Sequence, residues 1–187
     1  DENGLLLMFD EVQCGVGRSG TLFAHEHYAI EPDVMAIAKG LGGGFPVGAC
    51  LANEAVSSSM QFGSHGSTFG GNPLAMAVAD AVLDLVLEPS LLKDVNSKAS
   101  FLVKELEALT IKYPQSISSV HGLGLMLGVK CVGENTKLLL ELREHGLLVG
   151  KSGDNMIRLL PPLNVSQAEL ERALTLIETV LQNTEVT

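Results

Sequence analysis

Short, continuous apolar runs separated by turn signals constrain this chain to an α/β fold more than any other feature. Residues 5–9 and 34–38 are such runs, and residues 47–52 form a third. Runs of this length with polar residues at both ends indicate buried β-strands. Asn72 and Pro73 then open a long pattern of low polarity, with asparagine as the N-cap and proline at the first helical position. This pattern predicts a largely buried helix.

The pattern changes after residue 88. An amphipathic helical stretch, SLLKDVNSKASFLVKELEALTIKY, is followed by a glycine-punctuated strand pair, another helix, and two further strands, the last of which ends at two prolines. Ser166 stands three residues before Glu169, a capping box that predicts the start of a final helix. We therefore predict two domains, an α/β part over residues 1–88 and a smaller α+β part over residues 89–187.

Composition and charge argue against several classes of function. The 187 residues are 46% hydrophobic, and a net charge of −10 with only 12 lysines and arginines argues against nucleic-acid binding. No apolar run approaches the ~18 residues that a membrane span requires. The three cysteines form no CxxC pair and the five histidines share no metal-ligand spacing. We therefore expect no metal site, and reduced thiols in a cytoplasmic compartment.

The segment GVGRSG, residues 15–20, matches the GxGxxG pattern of a dinucleotide-binding loop. In such a site the glycines form the strand-to-helix turn itself, and an acidic residue ends the next strand about 20 residues later. Here four residues separate the first apolar run from the glycines, and Asp33 precedes the next strand. The spacing therefore predicts that NAD is not bound. We expect a tight backbone excursion, with Arg18 as a surface or subunit contact.

Two ionisable side chains stand at the ends of the first two predicted strands. Asp10 follows its apolar run directly, at the strand end where open α/β sheets bind ligands. Lys39 ends the second run and precedes GLGGGFPVGA, whose glycines leave room for a bulky adduct. Taken singly, Asp10 is typical of a turn or helix cap, and Lys39 of a solvated strand end. Together they supply what pyridoxal phosphate enzymes require, a carboxylate for the pyridine nitrogen and an amine that forms a Schiff base.

Three longer blocks carry a family resemblance. FDEVQCGVGRSGTLFAHEHYAIEPDVMAIAKGLGGGFPVGA, HGSTFGGNPLAMAVA and NMIRLLPPLNVS, in this order and separation, resemble the class III (subgroup II) aminotransferases over essentially the whole chain. The resemblance implies a fold-type I, pyridoxal-phosphate-dependent transferase. Residues 1–88 would form the C-terminal part of its large, mainly parallel-sheet domain, and residues 89–187 its small C-terminal α+β domain. It also implies an upstream half with the phosphate loop, so we expect this chain to be a C-terminal portion.

The same resemblance assigns roles to the residues of the first block. Asp10 would pair with the pyridine nitrogen of pyridoxal 5'-phosphate and keep it protonated. Val12 would pack on one face of the ring, and Gln13 would hydrogen-bond the ring 3-oxygen. Glu11 belongs to the same cofactor-binding tetrapeptide and is expected to be a structural carboxylate. Lys39 would form the Schiff base and then act as general base and general acid.

The other two blocks contribute residues from later in the chain. By resemblance, Thr68 would donate to the cofactor phosphate of a neighbouring subunit, with Ser67 beside it near the substrate. Arg158 would hold a substrate carboxylate in the two-pronged geometry that a guanidinium permits. The resemblance therefore implies a homodimer with shared active sites.

The implied reaction moves the δ-amino group of N-acetylornithine to 2-oxoglutarate and gives N-acetylglutamate semialdehyde and glutamate, a step of arginine biosynthesis. Ornithine, succinylornithine or 4-aminobutyrate remain open as the amino donor, and so does an inactive, truncated subunit. A mitochondrial or plastid location remains open beside the cytoplasm. The 187-residue chain alone is expected to be poorly soluble and inactive, because its first strands and the helix after Pro73 would expose apolar surface.

Overall fold

The computed structural model describes residues 3–184 and contains two compact units, Asp1–Leu92 and Lys93–Thr187. The division lies four residues after the boundary that the sequence predicts at residue 88. That the two units correspond to a large and a small domain stays a prediction.

The first unit is built on a three-stranded sheet in the order β1-β2-β3. β1 (Met8–Asp10) pairs in parallel with β2 (Val34–Ile37), and β2 pairs in antiparallel with β3 (Ala49–Ala52). The sheet is therefore mixed. Two helices follow it, the single turn α1 (Glu54–Ser57) and the longer α2 (Pro73–Val86). The α/β class predicted from the apolar runs is confirmed.

Burial in the first unit is lower than the apolar runs predict. Only Met8–Asp10 of the first run is a strand, and Leu5 and Leu6 before it are 74% and 67% exposed. All four residues of β3 are exposed as well. The physical reason is that side chains are buried by what packs on the faces of a sheet. The buried cluster of this unit contains Met35 and Ile37 of β2, whereas Phe9 of β1 is only partly buried against it. The prediction of a buried first strand is wrong for this chain alone, where the exposed side chains agree with the expectation that its first strands expose apolar surface.

The helix predicted at Asn72 is confirmed, but its burial is not. The Asn72 side chain accepts a hydrogen bond from the Ala75 backbone N at 2.9 Å, and Pro73 is the first helical residue. Of α2, only Ala75, Ala79 and Val86 are buried, while Leu74 and Leu85 are exposed. Low polarity therefore predicted the helix correctly and its packing incorrectly.

The second unit contains a four-stranded antiparallel sheet and three helices. Helix α3 (Pro89–Lys112) begins at the end of the first unit and continues into the second. The strands are β4 (Ile117–Leu123), β5 (Met126–Cys131), β6 (Gly150–Ser152) and β7 (Met156–Leu159), in the order β4-β5-β7-β6. The remaining helices are α4 (Asn135–Glu144) and α5 (Gln167–Thr184). Each of these elements matches a pattern predicted from the sequence.

A continuous core fills the second unit. Leu106 of α3, Leu142 of α4 and Leu181 of α5 have no exposed surface, and they belong to one cluster with the inward-facing residues of the sheet. The predicted capping box is present at the start of α5. Ser166 N donates to Glu169 Oε2 at 2.7 Å, and Glu169 N donates to Ser166 Oγ at 3.2 Å. Within residues 3–184, no helix is both long and apolar enough to cross a membrane.

Candidate active site

Asp10 and Lys39 lie at the same end of the first sheet, where the parallel strands β1 and β2 have their carboxyl ends. β1 and β2 are parallel neighbours, with Asp10 in register with Ala36, so the carboxyl ends of both strands point the same way. Lys39 follows β2 by two residues, and both side chains are exposed. Asp10 Oδ1 accepts a hydrogen bond from Val12 N at 3.0 Å, which orients the carboxylate. A carboxylate and an amine therefore occur together at the strand ends, the position where α/β sheets bind ligands.

The Lys39 backbone has an unusual conformation. Its φ is +46°, in the left-handed region that side-chain-bearing residues seldom adopt. Lys39 begins a short 3-10 helix that ends at Gly42, closed by a hydrogen bond from Leu41 N to Ala38 O at 3.0 Å. Gly43 continues with a φ of +55°. The chain thus leaves β2 through a tight, strained turn at the amine-bearing residue.

Glu11, directly after Asp10, is the buried carboxylate of the site. Its side chain accepts hydrogen bonds from Ala24 N at 3.0 Å and His25 N at 2.9 Å, and from Cys14 Sγ at 3.2 Å. It also lies 3.2 Å from His25 Nδ1. Burial raises the pKa of Glu11, but these hydrogen bonds outweigh burial and hold the pKa below its ordinary value. The geometry fits the structural role that the sequence suggested for Glu11.

Cys14 is a protonated thiol. Burial, together with its hydrogen bond to the Glu11 carboxylate and the charge of that group, raises the pKa of Cys14 to about 11. A thiol with such a pKa carries little thiolate at neutral pH, and the thiolate is the reactive form. Cys14 therefore acts here as a hydrogen-bond donor to Glu11.

Val12 and Gln13 continue the turn and are half-buried. The glycine segment that follows does not open a helix, because the next regular element is a 3-10 helix at Ala24–Tyr28. The segment therefore lacks the strand-to-helix turn of a dinucleotide loop, and that NAD is not bound stays a prediction. Arg18, expected as a surface or subunit contact, is half-buried, and burial lowers the pKa of its guanidinium.

Ser67 and Thr68 lie in the same unit, on the exposed segment between α1 and α2. Gly70 N donates to Ser67 O at 3.3 Å, which closes a turn. A Cβ at Gly70 would lie 2.9 Å from Ser67 Cβ, so this turn requires glycine. Glycine at residue 70 therefore sets the path of the chain around the two hydroxyl residues.

Arg158 lies in the second unit, on β7, and is half-buried. Its cross-strand neighbours are Gly128 on β5 and Gly150 on β6. A Cβ at Gly150 would lie 3.5 Å from Arg158 Nε, an ordinary contact distance, so Gly150 lies alongside the guanidinium. Sequence reasoning missed this feature, because the three residues come together only once the strand register is known.

Within the described residues 3–184, no group of three or more histidine, cysteine, aspartate or glutamate side chains could hold a metal ion.

Comparison with known proteins identifies the fold and the family. The sequence profile of the class-III aminotransferases matches residues 1–181, nearly the whole chain. The chain belongs to the class-III aminotransferase family. The α/β fold of the family's fold type I, implied by the motifs, is thereby confirmed, and so is the aminotransferase class.

Curated relatives in the family are named acetylornithine aminotransferase. The protein from Mesorhizobium japonicum is 55% identical over 177 residues, which cover 95% of this chain and 44% of the relative. The protein from Brucella melitensis is 50% identical over 186 residues, with 100% of this chain and 46% of the relative covered. The chain thus spans somewhat less than half the length of these relatives.

Solved structures in the family have the same fold. Acetylornithine aminotransferase from Elizabethkingia anophelis matches with a TM-score of 0.89 and 37% identity, over 97% of this chain and 47% of that one. Ornithine aminotransferase from Toxoplasma gondii matches with a TM-score of 0.90 and 31% identity, over 98% and 45% of the two chains. The fold alone therefore does not separate the two substrate groups.

Proposed function

We propose that this chain is the C-terminal part of a pyridoxal-phosphate-dependent aminotransferase that transfers the δ-amino group of N-acetylornithine to 2-oxoglutarate. The observation that carries the proposal is the pair Asp10 and Lys39, brought to one end of the sheet by two parallel strands. The names of the relatives at 50–55% identity support the acetyl substrate.

The residues at this end of the sheet fit this cofactor. Asp10 is an exposed carboxylate oriented by Val12 N, and Lys39 is an exposed amine that leads into a glycine turn with little side-chain bulk. These are the two groups that the pyridine nitrogen and the aldehyde of pyridoxal phosphate need. When bound, the cofactor supplies an electron sink for the pair released as a substrate C–H bond breaks.

The chain's own residues then have separate tasks. Asp10 holds the proton on the pyridine nitrogen, since a carboxylate stabilises that positive charge. Lys39 would hold the cofactor through its Nζ, and its amine would be the group that takes up and returns the substrate proton. Val12 and Gln13 would contact the ring, while Glu11 fixes the turn that carries them.

Further residues would bind the phosphate and the substrate. We assign Thr68 to the cofactor phosphate of a second subunit and Ser67 to the substrate side, which makes the working unit a homodimer. Arg158 would bind a carboxylate of the amino donor or of 2-oxoglutarate. A cytoplasmic location completes the proposal.

Borohydride reduction of the whole protein with pyridoxal phosphate tests the central assignment. Peptide mapping should find the label on Lys39, and a label on another lysine would overturn the role of the pair. A panel of donors with 2-oxoglutarate then tests the substrate. N-acetylornithine should have the highest kcat/KM, above ornithine, succinylornithine and 4-aminobutyrate. Cofactor binding without turnover of any donor would favour an inactive subunit instead.

A further inference from the structure

Val16, in the middle of the GVGRSG segment, has a backbone conformation that its side chain disfavours. Its φ is +54°, and it is 2% exposed. A β-branched residue in the left-handed region is a genuine outlier, whereas glycine would adopt this conformation without strain. The chain nevertheless has valine here, between Gly15 and Gly17. The side chain must therefore contribute something that glycine could not.

The Val16 side chain packs beneath the turn that begins at Lys39. It belongs to a buried cluster with Ile37 and Leu41, the residues on either side of that turn's start. A Cβ built on Gly40 would lie 3.3 Å from Val16 Cβ and 3.7 Å from its Cγ1. Val16 thus occupies the space beside Gly40 that a side chain at that residue would enter.

The backbone around Val16 is fixed on both sides. Gly15 N donates to Glu11 O at 3.0 Å, and a Cβ at Gly15 would lie 2.8 Å from that oxygen, so only glycine fits. Gly17 N donates to Leu22 O at 3.1 Å. Glu11 is itself held by the backbone amides that its carboxylate accepts. Val16 therefore rests on an anchored loop and does not move freely with the turn.

The Lys39 turn needs support of this kind. Lys39 also has a left-handed backbone, and its own side chain is exposed, so side-chain packing does not hold it there. We propose that Val16 is a positioning residue, whose buried side chain against Gly40 holds Lys39 in its left-handed conformation. The inference rests on the proposed function of Lys39, and it gives the glycine segment a purpose other than nucleotide binding.

Amide hydrogen exchange of the whole protein without cofactor tests the inference. Leu41 N and Gly43 N donate the hydrogen bonds of the turn, to Ala38 O and Gly40 O, each at 3.0 Å. Val16→Ala should make both amides exchange about fivefold faster or more, because the turn opens more often.

Val86→Ala is the matched control. It removes the same two methyl groups from the same buried cluster, but on helix α2. It should leave exchange at Leu41 and Gly43 close to that of the unaltered protein. Equal acceleration in Val16→Ala and Val86→Ala would show a general loss of packing and overturn the proposal.

Gly40→Ala tests the same contact from the other side and does not depend on the folding of Val16→Ala. Gly40 is not among the residues with a left-handed φ, so alanine is strained there only by its contact with Val16. Gly40→Ala should accelerate exchange at Gly43, and adding Val16→Gly, which removes the Val16 Cβ that a Cβ at Gly40 would meet at 3.3 Å, should remove part of that effect. Strictly additive effects would contradict a direct contact.

Cofactor attachment provides the readout for Lys39 itself. In Val16→Ala, covalent attachment of pyridoxal phosphate to Lys39 should slow about tenfold, with kcat reduced and donor KM nearly unchanged. In a Lys39→Ala background, Val16→Ala should not alter the Kd for the cofactor. If Val16→Ala weakened cofactor binding equally in the presence and in the absence of Lys39, the positioning role would be overturned. If the unaltered protein forms no bond at Lys39, the proposed function fails, while the exchange result still judges the Val16 contact.

Discussion

The two units of the chain bury their apolar side chains to different extents. In the second unit, one cluster joins α3, α4, α5 and the sheet, and its largest members are fully buried. In the first unit, a smaller cluster surrounds β2, while Met8, Phe62 and Phe69 are more than two-thirds exposed. The second unit therefore has a core of its own, and the first presents apolar surface of the kind that interfaces bury.

Backbone strain follows the same division. Among the described residues of the second unit, the left-handed ones that are not glycine are Asp154 and Asn155, types that tolerate this conformation. Those of the first unit are Val16, Ala29 and Lys39, which tolerate it less well. Strained residues persist where the surroundings hold them and are frequent at functional sites. The comparison thus separates a unit with a continuous core from the unit that carries the proposed cofactor residues Asp10 and Lys39.

The largest expected effect is chemical and lies in the first unit. Lys39→Ala in the whole protein should lower kcat by about 10³-fold or more, because one amine supplies both the covalent bond and the proton transfer. Its effect on the free energy of unfolding should be within about 0.5 kcal/mol, since the side chain is exposed. Steady-state kinetics and urea denaturation measure the two quantities.

Lys104→Ala is the matched control, because Lys104 is an exposed lysine on α3 in the second unit. Lys104→Ala should change neither kcat nor the free energy of unfolding. If Lys39→Ala kept its activity, or if both variants lost it equally, the chemical role of the first unit would be refuted.

The next effect concerns stability and lies in the second unit. Leu142→Ala removes a fully buried side chain from α4 and should cost about 2–5 kcal/mol in the free energy of unfolding. Leu140→Ala, on the same helix but 47% exposed, should cost less than about 1 kcal/mol. Hydrogen exchange resolved by residue should place the loss of protection in the second unit. Similar costs for the two leucines would contradict a separate core there.

The sequence predicted regular elements and strand ends better than burial or contacts. The caps at Asn72 and Ser166, and the parallel strands that end near Asp10 and Lys39, depend on residues close together in the chain. The exposure of β1 and the hydrogen bonds of Glu11 depend on which distant segments lie alongside, and no local pattern carries that information. The left-handed Val16 contradicts its own propensity, so local rules could not predict it.

A smaller, pH-dependent effect is expected for Glu11. Its pKa in the folded protein is below the ordinary value of 4.5, so the ionised form contributes stability that is fully present above that value. This contribution is lost as the pH falls below 4.5 and through the lowered pKa. Glu11→Gln should cost about 1–3 kcal/mol at pH 7, because an amide cannot accept all the hydrogen bonds.

Denaturation of Glu11→Gln between pH 7 and pH 3 provides the measurement. The difference in stability from the unaltered protein should shrink in acid, because the unaltered protein loses the same contribution there. Glu31→Gln, an exposed carboxylate of the same unit, should leave the pH profile unchanged. A difference for Glu11→Gln that stays constant with pH would show that its charge does not stabilise the fold.

The smallest effects compare one helix cap in each unit. Asn72→Ala and Ser166→Ala each remove a side-chain oxygen that accepts a backbone hydrogen bond at a helix start, from Ala75 N at 2.9 Å and from Glu169 N at 3.2 Å. Each should cost about 1 kcal/mol in the free energy of unfolding. The functional effects should differ, because Asn72 ends the segment that carries Ser67 and Thr68. Asn72→Ala should therefore weaken cofactor affinity in the whole protein about two- to fivefold. Ser166→Ala should leave that affinity unchanged at equal loss of stability. Equal weakening by both caps would mean that affinity follows overall stability, and the separation of the two units in function would be lost.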